Sequence, residues 1–167
     1  MSHEPARRSF LRGKFTRPNA MRPPGALVAE EFADACTKCD ACVTACPEAI
    51  IIRDDEGFPR VDLTKGACTF CGVCSQVCEP EAILPASDWN WRAKPTQSCI
   101  SLQGVTCRTC EDQCDSQAIR FRLMTGGRSE PNFDSDLCIG CGACAAACPA
   151  GAISFHETQQ QSEDKPC

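Results

Sequence analysis

The sequence predicts an α+β fold in which short helices and short β-hairpins surround cysteine-lined sites, with little regular structure at the N-terminus. Two observations lead to this prediction. Cysteine accounts for 17 of the 167 residues, and all but the last cysteine fall into four groups of four. Tyrosine is absent and aromatic residues make up 6% of the chain, so the apolar core is expected to be thin. Small folds with thin cores need another source of stability, and cysteine-bound metal clusters are one such source.

The cysteines are spaced as in bacterial iron–sulfur proteins. The last string has the spacing C-x2-C-x2-C-x3-C-P: Cys138, Cys141, Cys144, Cys148 and Pro149. This spacing places three thiolates around one [4Fe–4S] cube and sends the fourth to a neighbouring cube. Two further strings share the cysteine spacing and one is altered: Cys36, Cys39, Cys42, Cys46; Cys68, Cys71, Cys74, Cys78; and, altered, Cys99, Cys107, Cys110, Cys114. We therefore predict tandem bacterial-type 2[4Fe-4S] ferredoxin-like modules.

Two other kinds of site also use many cysteines. A disulfide scaffold gives no reason for a repeated x2, x2, x3 rhythm, because a disulfide needs only two cysteines with suitable geometry. Structural zinc sites typically pair two C-x2-C knuckles across a longer loop. The chain has only two histidines, His3 and His156, so histidine ligation is not expected. The remaining cysteine, Cys167, is interpreted as a tail thiol.

Paired strings predict which cysteines share a cluster. The first three cysteines of one string and the last cysteine of its partner hold each cube. The predicted iron-binding sets are Cys36, Cys39, Cys42, Cys78 (cluster 1); Cys68, Cys71, Cys74, Cys46 (cluster 2); Cys138, Cys141, Cys144, Cys114 (cluster 3); and Cys99, Cys107, Cys110, Cys148 (cluster 4).

Cluster 4 departs from the regular pattern. Between Cys99 and Cys107 the spacing C-x2-C becomes C-x7-C, so residues 100–106 must loop out before the second ligand arrives. Proline is also missing after Cys114, and Glu79 follows Cys78. We expect four [4Fe–4S] clusters; three clusters, with this site empty, are the alternative.

The strings divide the chain into five segments. They are a basic, proline-containing N-terminal arm (1–31), a first ferredoxin-type module (32–86), a junction (87–98), a second ferredoxin-type module (99–156) and a C-terminal tail (157–167). An internal repeat supports this division, because Cys36 and Cys68 are 32 positions apart and Cys107 and Cys138 are 31 positions apart. A repeated period of this kind indicates duplicated structural units.

Each module is predicted to contain one hairpin. In the first module, residues 48–53 form a β-branched strand and residues 58–62 run back after an acidic turn that ends in glycine. In the second module, residues 119–123 form the strand and residues 131–134 return after a glycine-containing turn. The junction holds two tryptophans, which are expected to pack one module on the other or to shield a cluster; partner binding is the alternative.

The charge is distributed unevenly. Residues 1–28 hold six of the 17 basic side chains and one of the 22 acidic side chains, a surplus of +5, so residues 29–167 carry −10. An acidic body argues against nucleic acid and for a protein partner with a basic docking face. Arg7 and Arg8 resemble a twin-arginine export signal, but the polar, proline-broken sequence after them lacks the required apolar region, so export is not expected. No segment reaches the length of a transmembrane helix.

The sequence offers no candidate for catalysis. It has no phosphate loop, dinucleotide fingerprint or nucleophile elbow, and no open ligand position is readable. Several clusters in one chain instead make an electron path or an electron reservoir, with potentials that can lie anywhere from about −700 to +450 mV. Cluster chemistry alone leaves two functions open: a soluble low-potential electron carrier, or the electron-transfer subunit of a membrane redox complex tethered by the basic arm.

Several stretches resemble one particular family, the ferredoxin-type NapF proteins encoded beside periplasmic nitrate reductase. The stretches are Arg7–Gly13, Arg22–Pro24, Phe32 ahead of Cys36–Cys42, Cys107–Cys114 and Leu137–Cys144. The resemblance implies a cytoplasmic iron–sulfur protein that is not an enzyme. It also implies a partner, the catalytic subunit NapA, which would be bound before export and helped to mature by insertion or reduction of its own cluster. The protein would not belong to the mature periplasmic complex.

Overall fold

The computed structural model describes residues 20–86, 89–125 and 128–158. The helices and strands are all short: α1 Ala29–Ala35, α2 Ala41–Ala45, β1 Ile51–Arg53, β2 Pro59–Val61, α3 Val73–Gln76, β3 Trp91–Pro95, α4 Thr109–Asp112, β4 Ile119–Leu123, β5 Ser129–Phe133, α5 Ala143–Ala146 and β6 Ile153–Glu157. This is the α+β fold of short helices and hairpins that the sequence predicts. Across the described ranges, no helix is both long and apolar enough to cross a membrane.

The first half, residues 20–86, contains the hairpin expected at residues 48–62. Strands β1 and β2 pair antiparallel, with Ile51 opposite Val61, although each strand is shorter than predicted. The turn is held by Asp54, whose carboxylate accepts hydrogen bonds from the backbone N–H groups of Glu56 at 3.0 Å and Phe58 at 2.9 Å. A short polar side chain that bonds the backbone ahead of it favours such a turn.

Residues 20–28 belong to the first half, although the sequence placed them in the arm. The N–H of Leu27 donates to the carbonyl of Ala82 at 3.1 Å, and the N–H of Leu84 donates to the carbonyl of Gly25 at 2.8 Å. A Cβ on Gly25 would lie 1.8 Å from the carbonyl oxygen of Leu84, so only glycine allows this approach. The part of the predicted arm before residue 20 lies outside the described residues.

The second half, residues 89–158, contains two antiparallel pairs. Strand β4 has the predicted bounds and pairs with β5, Ile119 opposite Phe133. Strand β3 pairs with β6 along its whole length, Trp91 opposite Glu157. This corrects the interpretation of residues 91–95 as part of a junction: they form a strand because their backbone groups bond to the segment that follows the last cysteine string.

The apolar core is thin and divides into two clusters. The larger one lies in the first half around Phe32, which is 1% exposed. The smaller one lies in the second half and includes only four buried residues, Ala93, Cys110, Ile119 and Cys144. Trp89 is buried in the first-half core, where its ring meets that of Phe70 edge-on at 6.3 Å. The expectation that a tryptophan packs the two halves together is therefore confirmed for Trp89.

Candidate iron–sulfur centres

Each regular cysteine string is a loop followed by a short helix. Two residues of each loop have positive φ, one just before the second cysteine and one just after it. They are Lys38 and Asp40, Phe70 and Gly72, and Gly140 and Gly142, with φ between 53° and 89°. Left-handed residues turn the chain sharply without forming a helix, so the three cysteines of each string face one space.

The altered string lacks this loop geometry. Arg108, the residue after Cys107, has φ −134° rather than a positive value. The inserted residues fold instead as a compact turn, in which the N–H of Val105 donates to the carbonyl of Ile100 at 2.9 Å. Ser101, only 2% exposed, fixes this turn to β5, because its hydroxyl donates to the carbonyl of Ser129 at 2.6 Å. The fixed turn presents Cys99 and Cys107 to the same cavity.

The short helices explain how one string serves two sites. In helix α2, Cys42 lies at the start and Cys46 follows its end, and α2 contacts α3 of the neighbouring string. Helices α4 and α5 form the same kind of contact in the second half. Each helix therefore carries its third cysteine toward one space and delivers the fourth cysteine toward another.

Three of the four predicted ligand sets line one cavity each. These cavities are lined by Cys36, Cys39, Cys42 and Cys78; by Cys46, Cys68, Cys71 and Cys74; and by Cys99, Cys107, Cys110 and Cys148. The remaining set is close enough for its thiols to act on one another, since Cys114 and Cys138 both raise the pKa of Cys141 by their negative charge, after a larger contribution from burial.

Several of the buried thiols are poorly suited to ionise without metal. Burial raises the pKa of Cys42, Cys68 and Cys110 to about 11 and that of Cys144 to about 12, and neighbouring thiols add to the effect. For Cys42 those neighbours are Cys36, Cys78 and Cys39. Such thiols stay protonated at neutral pH, so metal binding must displace their protons.

Cys39 differs from these buried thiols. A hydrogen bond from the backbone N–H of Ala41, followed by one from the hydroxyl of Thr37, lowers the pKa of its thiol. Its side chain is exposed, as is that of Cys71 in the second string. The first two sites are therefore each bordered by one thiol at the molecular surface.

The donor chemistry fits iron–sulfur clusters. In the part of the chain that the structure describes, no three His, Cys, Asp or Glu side chains are grouped as ligands of a single metal ion would be. Each cavity is instead bordered by four thiols around a larger space, and thiolates are the ligands of [4Fe–4S] cubes. His156 lies in strand β6, where it is paired with Arg92 of β3.

No sequence pattern indicated the structural roles of two residues, Ser101 and Arg22. Ser101 is a single serine within an inserted loop, and its partner Ser129 is 28 positions away. Arg22 lies beside two prolines in the supposed arm, yet its guanidinium donates to the Asp54 carboxylate and to the Pro59 carbonyl, each at 2.8 Å. An isolated arginine 32 positions before its acidic partner forms no local pattern that would identify such a pair.

Comparison with known proteins gives matches along most of the chain. A family model described as a 4Fe-4S dicluster domain matches residues 35–82 and 104–164. The ferredoxin-type protein NapF of Haemophilus influenzae is 37% identical over 167 aligned residues, which cover 92% of this chain and 95% of that protein. The ferredoxin-type protein NapF of Escherichia coli K12 is 38% identical over 157 residues, covering 92% and 96%. The prediction of multiple [4Fe–4S] clusters is confirmed.

Proposed function

This chain belongs to the ferredoxin-type NapF family, and from that premise we propose that it assists the maturation of a periplasmic nitrate reductase. The partner is the catalytic subunit NapA, bound in the cytoplasm before export. The assistance consists of inserting or reducing the iron–sulfur cluster of that subunit. In this role the protein handles electrons or clusters and is not itself an enzyme.

The similarity to NapF proteins carries this proposal because it extends beyond the cysteine strings. The 16 cysteines of the strings are about a tenth of the 167 residues. Identity of 37–38% over 92% of the chain therefore requires many matches elsewhere. An unrelated protein with the same cysteine spacing would share little more than the strings themselves.

We further propose that each half is a two-cluster module with the crossed ligand sets predicted above. Three cysteine-lined cavities support this arrangement, each bordered by three cysteines of one string and the last cysteine of its partner. When bound, the clusters supply reversible one-electron storage. The residues of this chain hold the thiols in place, bury Cys42, Cys110 and Cys144, and leave Cys39 and Cys71 exposed.

The proposal is tested by anaerobic affinity capture from nitrate-grown cells. We expect the tagged protein to retain the catalytic subunit with its export signal intact, and not the processed form. A chain that begins at residue 20 is the matched variant, because it removes most of the basic segment but keeps Arg22 and the hydrogen bond between Leu27 and Ala82. Capture of no specific subunit, or of the processed form only, would contradict the proposal.

A soluble electron carrier is the second candidate, favoured by the acidic charge of residues 29–167. Carriers of this kind form weak encounters that salt disrupts. The carrier function predicts capture of several reductases at low ionic strength and of none in 0.5 M salt, where the Debye length falls to about 4 Å. A contact that survives this salt favours the maturation function.

The crossed ligand sets are tested by a pair of substitutions. Cys78→Ser should remove the cluster held by Cys36, Cys39 and Cys42, whereas Cys46→Ser should remove the cluster held by the second string. Cysteine-to-serine changes are equal in size, so the two variants control for each other. Cluster loss can be assigned by following which cysteines become alkylated. If Cys78→Ser frees the other cysteines of its own string instead, the crossed pairing is wrong.

A further inference from the structure

The two halves meet where the second and last cysteine strings face each other. The backbone N–H of Cys68 donates to the carbonyl of Cys141 at 2.7 Å. Cys68 belongs to the set proposed for cluster 2, and Cys141 belongs to the set proposed for cluster 3. One hydrogen bond therefore joins the backbones of two cysteines that hold different clusters in different halves of the molecule.

The residues around this hydrogen bond are closely packed. Gly142 has φ +89°, and a Cβ at this position would lie 2.6–2.8 Å from side-chain atoms of Leu63. Leu63 is itself only 4% exposed. Real Cβ atoms do not approach so closely, so Gly142 allows the last string to rest against the first half. We call the contact made by Leu63, Cys68, Cys141 and Gly142 the seam.

A comparison of two cysteine strings shows that this close packing occurs only at the seam and is not a general feature of the strings. Gly72 occupies the same position in the second string as Gly142 in the last, and it also has a positive φ of +72°. A Cβ on Gly72 would meet only the amide nitrogen of Gln76, at 3.9 Å. The preceding cysteine differs in the same way, because Cys71 is exposed and Cys141 is half-buried.

We propose that the seam is an electron bridge that joins the two halves into one chain of four sites. Electrons tunnel faster along covalent and hydrogen bonds than across van der Waals gaps. From the thiolate of Cys68 to the thiolate of Cys141, the path crosses only these two residues and the hydrogen bond between them. Within each half, a helix such as α2 links the two sites, since it connects Cys42 to Cys46.

The transfer is a simple redox step. One electron leaves the site on one side of the seam and arrives at the site on the other, so one site is oxidised and the other is reduced by one electron. No covalent bond forms or breaks and no proton moves. A one-electron reductant of low potential supplies the electron, and dithionite serves this purpose in the test. The inference rests on the proposed ligand sets and is independent of the partner that the protein serves.

The test compares Gly142→Ala with Gly72→Ala in the full-length, cluster-loaded protein. Both substitutions place alanine at a positive φ, but only Gly142→Ala adds a Cβ that collides with Leu63. In dithionite-reduced protein, electron paramagnetic resonance detects the magnetic coupling between the electron spins of neighbouring reduced clusters. Both glycines belong to cluster-binding loops, so the spectra are compared at equal iron content, and we expect Gly142→Ala to weaken this coupling more than Gly72→Ala does. We also expect amide hydrogen exchange at Cys68 to rise roughly tenfold in Gly142→Ala alone, the effect of losing one net hydrogen bond.

Three results would overturn the proposal. Fast exchange at Cys68 in the unaltered protein would mean that the hydrogen bond is not maintained. Equal loss of coupling in both variants would attribute the effect to backbone strain. Unchanged coupling in Gly142→Ala, with faster exchange at Cys68, would mean that electrons do not use the seam.

A second variant covers the case in which Gly142→Ala fails to bind iron. Leu63→Ala loosens the seam and leaves every cysteine string unchanged. Its control is Leu84→Ala, because Leu84 is 41% exposed. We expect Leu63→Ala to increase exchange at Cys68 and to weaken the coupling, and Leu84→Ala to change neither. If Leu63→Ala raises exchange at Cys68 without changing the coupling, the seam is a structural contact only.

Discussion

The two halves hold similar cysteine strings but differ in their buried cores and in the lengths of their strands. The core of the first half, into which Trp89 packs from the start of the second half, includes the large side chains Phe32 and Phe58, and strands β1 and β2 have three residues each. In the second half, all four strands have five residues, and two of the four buried core residues are the cysteines Cys110 and Cys144. One of the ten buried residues of the first-half core, Cys42, is a proposed ligand, whereas two of the four in the second-half core are.

The comparison teaches that cysteine spacing does not determine what stabilises a site. A cluster that is bound only in the folded state contributes its binding free energy to folding. Where the core is large, burial of apolar side chains adds a contribution that is independent of the metal. Where cysteines make up half of a small buried core, as in the second half, the two contributions are coupled. The second half is thus expected to depend more strongly on its clusters.

The largest expected effect is on the protein without metal. We expect anaerobic removal of iron by a chelator to abolish amide-exchange protection in β4 and β5 while β1 and β2 keep part of theirs. The reason is that thiols in the second-half core, such as Cys144, cannot replace the bonds that the cluster provides. Site-resolved hydrogen exchange before and after chelation measures this. Simultaneous loss of protection in both halves would remove the distinction between them.

The next effect concerns the aromatic core of the first half. Phe32→Ala should destabilise that half by about 3–5 kcal/mol, as for other buried phenylalanines. Its ring is 1% exposed and lies 6.1 Å from the ring of Phe58. Phe121→Ala is the matched control, because Phe121 is only half-buried in β4. The measurement is amide-exchange protection at Ile51. An equal loss there in the control would show that the core is shared.

Arg22 provides a smaller effect in the same half. Its guanidinium bonds Asp54 at 2.8 Å and lies 5.2 Å and 5.4 Å from the ring centroids of Phe32 and Phe58. Arg22→Ala should cost about 1–3 kcal/mol, because it removes the charged partner of a largely buried carboxylate, which then keeps only its backbone donors. Arg108→Ala removes a more exposed pair with Glu111 and should cost at most about 1 kcal/mol. The measurement is amide-exchange protection of the β1–β2 turn, which should fall in Arg22→Ala and stay unchanged in Arg108→Ala. Unchanged protection in Arg22→Ala would contradict this prediction.

The smallest effect lies in the altered string. Ser101→Ala should cost about 1 kcal/mol, because the carbonyl of Ser129 loses a buried hydroxyl donor. The inserted turn would then position Cys99 less firmly, and the rate of cluster loss under oxygen should rise at this site first. Ser98→Ala is the control, since Ser98 is exposed. Equal rates of cluster loss in the two variants would show that Ser101 does not support the site.

Sequence alone was sufficient for the features that depend on local spacing. Within each regular string the cysteines lie a few residues apart, and strand β4 alternates apolar and basic residues over Ile119–Leu123. Strand β3 could not be read in this way, because its partner β6 lies about sixty positions along the chain and β3 ends in a proline. The hydrogen bond between Arg22 and Asp54 likewise spans 32 positions.

The seam illustrates the same limit at single residues. Gly72 and Gly142 each follow the second cysteine of a C-x2-C-x2-C-x3-C string. Local sequence therefore assigns both glycines the same structural role, the sharp loop around a cluster. Only the tertiary contact with Leu63 makes Gly142 different from Gly72, and no pattern within either string encodes that contact.

The most direct measurement is native mass spectrometry of the anaerobically purified and reconstituted chain. The proposed ligand sets predict a mass that corresponds to four [4Fe–4S] clusters, and Cys99→Ser should lower it by one cluster. Cys167→Ser is the control, because Cys167 belongs to no set and its loss should not change the mass of bound clusters. A limit of three clusters after full reconstitution, with no further loss in Cys99→Ser, would show that the altered string does not form a site.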